Sequence, residues 1–74
     1  MEKDLPQLFD VVALLADLPQ RGLVRGQVGT IVEQLAADVH EVEFSDDTGK
    51  TYATAALRPE QIMVLRYEPA GLGS

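Results

Sequence analysis

The 74-residue sequence contains no cysteine and a single histidine, His40. Without cysteine the chain can form neither a disulfide nor a thiolate metal site, and one histidine is too few for a zinc site even with carboxylate help. Cofactors and metals are therefore not expected. Small domains are usually stabilised by a disulfide, a metal or a second subunit, so the size of this one favours a homodimer.

Positive charge and aromatic side chains are also scarce. Six Lys and Arg stand against twelve Asp and Glu, and the aromatic residues are two Phe and two Tyr with no Trp. Binding to nucleic acid draws on clustered cations and on aromatic rings that stack on bases. Because the cations of this acidic chain are scattered singly, we do not expect a nucleic-acid partner.

Long apolar runs are missing as well. The longest uncharged apolar stretch, residues 11–16, is too short to cross a bilayer, and the N-terminal Met-Glu-Lys-Asp lacks the layout of a signal peptide. We expect a cytoplasmic protein without membrane contact. Hydrophobic residues nevertheless make up 46% of the chain, which is the composition of one small folded domain.

The sequence contains few candidate catalytic side chains. The paired carboxylates, Glu41 with Glu43 and Asp46-Asp47, fall on a predicted solvent face and in a predicted turn, whereas acid–base catalysis favours carboxylates buried against apolar groups. Ser45 has no candidate base except His40, which we expect to be exposed. Gly22 and Gly26 precede a predicted strand and not a helix, so we expect no phosphate-binding loop. We expect no enzymatic activity and no small-molecule substrate.

Alternating and β-branched residues predict five strands. The clearest pattern is 40–46, where Val42 and Phe44 share the core face and Glu41 and Glu43 face solvent. Gly29 inside the second strand indicates a bulge or a sharp bend of the kind that small barrels need to close. The predicted strands cover residues 9–15, 28–35, 40–46, 51–57 and 62–67.

The connections between these strands complete the predicted layout. Residues 18–27 form a long loop that we expect to fold back over the sheet and bury Leu23 and Val24; tight turns follow at 36–38 and 46–50. A proline-initiated single turn at 58–61 precedes the last strand. This order predicts an all-β fold, a five-stranded SH3-like barrel with a long first loop and a one-turn 3-10 helix before the last strand. We expect a lead-in at 1–8, the barrel at 9–67 and a flexible tail at 68–74.

Three segments, 10–19, 22–32 and 40–44, resemble the bacterial family called domain of unknown function 4926 over roughly residues 9–65. The resemblance implies a small β-barrel of bacterial origin and carries no activity with it. The chain departs from the usual pattern at Gln27, where an acid is common, and at Met63-Val64, where Arg-Pro is common. The Gly-x-Val-Gly-Thr-Ile-Val stretch is also similar to the motif of KOW-type barrels.

The first and last strands carry apolar residues on both alternating faces. Either a bent strand buries both faces, or one face remains exposed and marks an association surface. The second reading favours a non-enzymatic protein–protein interaction module that binds itself, as a homodimer, or another protein. The candidate residues are Val12, Leu14, Met63 and Leu65 on these strands, with Arg21 and Arg25 at the rim.

Two other functions are compatible with the sequence. One is an RNA- or ribosome-associated KOW-like barrel that would use Arg21, Arg25 and Tyr52. The other is an acidic antitoxin-like or immunity partner whose acidic face covers a basic protein. That face would comprise Glu33, Glu41, Glu43, Asp46 and Asp47.

Overall fold

The structure, a computed structural model, describes residues 5–66 and is all-β apart from two single turns of 3-10 helix. The fold predicted from the sequence is confirmed, including the turn before the last strand. The strands are β1 (Val11–Leu14), β2 (Val28–Ala36), β3 (Val39–Ser45), β4 (Thr51–Leu57) and β5 (Ile62–Val64). The 3-10 turns are η1 (Pro19–Arg21) and η2 (Pro59–Gln61).

The five strands form one antiparallel sheet in the order β4-β3-β2-β1-β5. Consecutive strands pair from β1 to β4, and the chain then returns through η2 to place β5 on the other side of β1. This is the SH3-like arrangement, with β4 and β5 as the two edges. Among residues 5–66, no helix is long and apolar enough to span a bilayer.

The bounds of β2, β3 and β4 agree with the prediction to within one residue, whereas β5 ends at Val64 and leaves residues 65 and 66 of the predicted strand outside it. β4 has the predicted limits, and β5 begins at the predicted Ile62. β1 begins at Val11, two residues later than predicted, because Phe9 adopts a left-handed backbone with φ of 71°, and it ends at Leu14, one residue earlier than predicted. Residues 1–4 of the predicted lead-in at 1–8, together with Tyr67 and the predicted tail at 68–74, lie outside the described residues.

The long first loop folds back as predicted but buries only one of the two residues that were expected to be buried. Leu23 is 1% exposed and is bridged to Leu18, with N–H to carbonyl distances of 2.8 and 3.1 Å in the two directions. The chain reverses at Gly22, whose φ of 70° suits glycine. Val24 is 55% exposed, so its predicted burial is wrong. The reversal turns Leu23 inward and leaves Val24 on the outside.

Gly29 brings β2 against β3. A Cβ atom at this position would lie 2.7 Å from Val42 Cγ1 and 2.8 Å from the carbonyl oxygen of Glu43. The irregular register of β2 against β3 falls later, between Ile31 and Ala36, so Gly29 is a site of close approach and not the bulge itself. The core under this contact draws on every strand and on the first loop: Val12, Leu14, Leu23, Ile31, Val42, Phe44, Ala55, Leu57 and Ile62.

Candidate functional site

Two of the predicted surface residues belong to the core. Val12 is 0% exposed and Leu14 is 2% exposed, which corrects their assignment to an interaction surface. The physical reason is that the even-numbered side chains of β1 belong to the core cluster, together with residues such as Ile31 and Ile62 of the neighbouring strands. Ala13 on the opposite face is also buried. Over residues 12–14 both faces of β1 are therefore buried, which is the first of the two alternatives considered for this strand.

The outer face of the β1–β5 pair remains exposed where β1 ends, beside the middle of β5. Leu15 is 44% exposed and Met63 is 50% exposed, while Leu65 is half-buried. Met63 lies opposite Ala13, and the Leu15 N–H donates to the carbonyl of Gln61 at 2.9 Å. Leu15 therefore lies next to Met63 on the same face. The sequence prediction omitted Leu15, although its odd-numbered position on an apolar strand was the available signal.

Leu15 and Met63 border two adjoining depressions. The first, which we call the β5 groove, has a volume of about 510 Å³ and runs beside the edge strand, with Glu60 and Arg66 among its residues. Its apolar lining is Leu5, Pro6, Leu15, Pro59, Ile62, Met63 and Val64.

The second, the loop depression, has a volume of about 610 Å³ and is lined by Leu15 and Met63 together with Asp17 and Arg25 from the first loop. The two depressions and the side chains of Leu15 and Met63 are together called the β1–β5 surface.

The turn η2 determines where β5 begins. The Arg58 N–H donates to Gln61 Oε1 at 2.8 Å, and the Gln61 N–H donates to the Arg58 carbonyl at 2.9 Å. The Arg58 guanidinium also pairs with Asp38 in the β2–β3 turn at 3.2 Å. The two bonds between Arg58 and Gln61 close η2 immediately before Ile62, whereas the ion pair is exposed on both sides and contributes little to stability.

The cationic and aromatic candidates are placed on different parts of the barrel. The Arg21 guanidinium donates to the Thr54 carbonyl on β4 at 3.4 Å, and the Tyr52 hydroxyl accepts from Gln27 Nε2 at 2.9 Å. Arg25 instead lines the loop depression, where its backbone N–H donates to Asp17 Oδ1 at 2.8 Å. Of the three, only Arg25 lies at the rim of the β1–β5 surface, whereas Arg21, which was predicted for the same rim, contacts β4 instead.

The predicted acidic face divides into two features. Glu33 on β2 is the direct register partner of Glu41 on β3, and Glu43 follows two residues later on the same face. Directly opposed like charges destabilise a sheet, so this part of the face is electrostatically unfavourable in the protomer. Asp46 and Asp47 lie apart from it in the β3–β4 turn.

Asp46 has a local structural role. Its Oδ1 accepts hydrogen bonds from the Thr48 hydroxyl at 2.6 Å and from the backbone N–H groups of Thr48 and Lys50 at 2.9 and 3.0 Å. These bonds, the Thr48 hydroxyl first, lower the pKa of Asp46 below its ordinary value of 3.8. The carboxylate organises the turn, in which Gly49 has a left-handed φ of 88°.

His40 is buried, which corrects the expectation of an exposed histidine. Its side chain is 3% exposed, and Nδ1 has no hydrogen-bond partner among the described residues. The alternation with Val42 and Phe44 was the signal, because His40 shares their core-facing parity. Within residues 5–66, no three His, Cys, Asp or Glu residues are placed to hold a metal ion together.

A family model matches residues 8–64, well over half of the chain, and its description is "Domain of unknown function (DUF4926)". No curated protein and no solved structure matches the sequence. The match covers all five strands, so the resemblance drawn from the strand motifs is confirmed. The chain is therefore a member of the domain of unknown function family DUF4926.

Proposed function

We propose that this domain is a non-enzymatic protein–protein interaction module and that the β1–β5 surface is its contact site. The observation that carries the proposal is that Leu15 and Met63 are exposed side by side and border both depressions. Contiguous exposed apolar area on a small protein commonly marks a site of association.

The lining of this surface suits recognition better than catalysis. Among the described residues that line the two depressions there is no His, Ser, Thr or Tyr, so neither contains a nucleophile with an adjacent base. The charged side chains, Asp17 and Arg25 on one side and Glu60 and Arg66 on the other, lie around an apolar centre. An apolar centre with a charged rim is the usual composition of a protein interface.

The proposal is tested by photo-crosslinking in the native host. A benzophenone amino acid placed at Met63 should give covalent complexes of defined mass, either with a second copy or with another protein. The matched control carries the same group at Asp47, which is exposed in the β3–β4 turn away from this surface. The absence of complexes from position 63, or the same complexes from both positions, would contradict the proposal.

A second variant separates contact from folding. With the crosslinker at Leu15, Met63→Glu should abolish the complexes, because the introduced carboxylate would be buried on association. The free energy of unfolding should change by no more than about 0.5 kcal/mol, since Met63 is half-exposed in the protomer. Complexes that persist in the folded Met63→Glu protein would place the contact elsewhere.

The opposed carboxylates of β2 and β3 favour a second candidate function, the covering of a basic protein. A cationic partner would relieve the repulsion between Glu33 and Glu41, and the chain has a net charge of −6. Here Glu41→Gln should weaken partner binding and reduce its dependence on salt, while Met63→Glu should leave it unchanged. The reverse pattern would support the β1–β5 surface.

A further inference from the structure

Among residues 5–66, no strand pairs with the backbone N–H and carbonyl groups on the outer edge of β5. The Leu15 N–H donates to the Gln61 carbonyl, and the Leu65 N–H donates to the Val11 carbonyl, each at 2.9 Å. In an antiparallel strand, the backbone N–H and carbonyl groups of successive residues point alternately to the two neighbouring strand positions. The backbone groups of odd-numbered residues of β5 therefore point toward β1, and those of even-numbered residues point away from it. Because β5 is an edge strand, the N–H and carbonyl of Val64 point outward.

These outward groups lie beside the β5 groove, whose lining includes Val64 itself and the exposed Leu5, Leu15 and Met63. An occupant that satisfies both an edge N–H and its carbonyl has to present its own backbone in extended conformation. A helix cannot do so, because its backbone groups are already bonded internally. The edge and the groove together therefore select a β-strand.

We propose that the strand is β5 of a second copy, paired antiparallel with the first about a two-fold axis through Val64. The inference rests on the function proposed above for the β1–β5 surface. The register is self-complementary, since each Val64 would donate to and accept from the other. A register centred closer to Ile62 is poorer, because the Ile62 N–H already donates to the Pro59 carbonyl.

The same two-fold brings complementary side chains together. Met63 of each copy lies opposite Leu65 of the other, so an exposed and a half-buried apolar side chain pack across the new edge. Arg66 lies opposite Ile62 of the other copy and therefore close to the η2 turn that carries Glu60. A chain without a disulfide also gains stability from a second subunit.

Sedimentation equilibrium of three proteins tests the pairing. The wild-type chain should show a concentration-dependent dimer between about 20 µM and about 1 mM. Val64→Pro removes the edge N–H, which makes no bond within the sheet, and should raise the dissociation constant roughly tenfold or more while the chain remains folded. Val64→Ala keeps the N–H and should change the constant by less than about threefold.

The register is tested by cysteine crosslinking, which is unambiguous because the chain has no cysteine of its own. The double variant Met63→Cys/Leu65→Cys places directly opposed cysteines on one face of the paired strands and should oxidise to a covalent dimer. Met63→Cys alone is the control, since its partner cysteine would be displaced by two residues. Equal dimer yield from both variants would overturn the register.

Failure of this pairing can be told apart from failure of the proposed function. A Val64→Pro protein that associates as tightly as wild type, together with a Met63→Glu protein that does not, overturns the strand pairing and supports the surface. A wild-type monomer throughout the concentration range overturns the second copy as occupant. Crosslinking of another protein at position 63 would still uphold the interaction module.

Discussion

At the scale of single residues, Gly29 is the position where the backbone leaves the least room. Gly29→Ala should lower the free energy of unfolding by about 2 kcal/mol or more, because the added Cβ would meet the fixed carbonyl of Glu43 at 2.8 Å. Urea denaturation measures the loss. Gly22→Ala is the control: it has open space around it and should cost only about 1 kcal/mol, from its positive φ. Equal losses would contradict the close approach.

Phe9 is a bulky residue in a backbone conformation that favours glycine. It is the third residue of the turn from Gln7 to Asp10, has φ of 71° and is 70% exposed. Phe9→Gly should therefore stabilise the domain by roughly 0.5–1 kcal/mol, measured by urea denaturation. Leu8→Gly, which changes a neighbouring exposed residue without positive φ, should destabilise it. Destabilisation by Phe9→Gly would show that the ring contributes contacts that outweigh the strain.

Residue-level sequence reasoning succeeds where a pattern constrains the side chain. The alternation around Val42 and Phe44 predicted their burial, and the same parity applied consistently would have placed His40 inside. Phe9 could not be predicted, because its propensity is for extended structure, whereas it occupies the third position of the Gln7–Asp10 turn and its N–H donates to the distant Ile31 carbonyl at 2.8 Å. Long-range bonds of this kind leave no local signature.

At the scale of elements, the β3–β4 turn links stability to pH through Asp46. Because folding lowers the pKa of this carboxyl, its contribution is fully present above the ordinary value of 3.8 and is lost as the pH falls through the lower folded value. Asp46→Asn keeps an acceptor oxygen but loses the charge. The wild type should therefore be the more stable at neutral pH, and the difference should shrink at pH below about 4.

Thermal unfolding of both proteins from neutral pH down to about pH 2 measures this effect. Asp47→Asn is the matched control, since Asp47 lies next in the same turn and makes none of the three Oδ1 bonds. Its difference from wild type should be small and should not follow the same course with pH. A constant offset for Asp46→Asn across the range would mean that the charge is irrelevant to the turn.

The elements themselves were largely predictable, but the buried face of β1 was not. β4 was predicted with its full limits because a turn and a proline bound it on either side. Both alternating faces of β1 are apolar, so its sequence alone does not indicate which face packs into the core. Val12 and Leu14 were therefore placed on the surface, while Leu15 was missed.

At the scale of the whole molecule, two exposed features compete as the contact site, the apolar β1–β5 surface and the opposed carboxylates of β2 and β3. They lie on different strands of the sheet, so association through one leaves the other in solvent. Their physical signatures differ, because the apolar contact should strengthen with added salt and the acidic one should weaken. The unpaired edge of β5 and the groove beside it favour the β1–β5 surface as the contact site.

The most direct test is to dilute the ¹⁵N-labelled chain from about 1 mM to about 20 µM and to follow its backbone amide chemical shifts by NMR. Association through the β5 edge predicts concentration-dependent shifts centred on Val64 and extending to Leu15 and Leu65, with none at Glu41 or Glu43. Shifts confined to the β2–β3 face, or an unchanged spectrum over the whole range, would contradict the account.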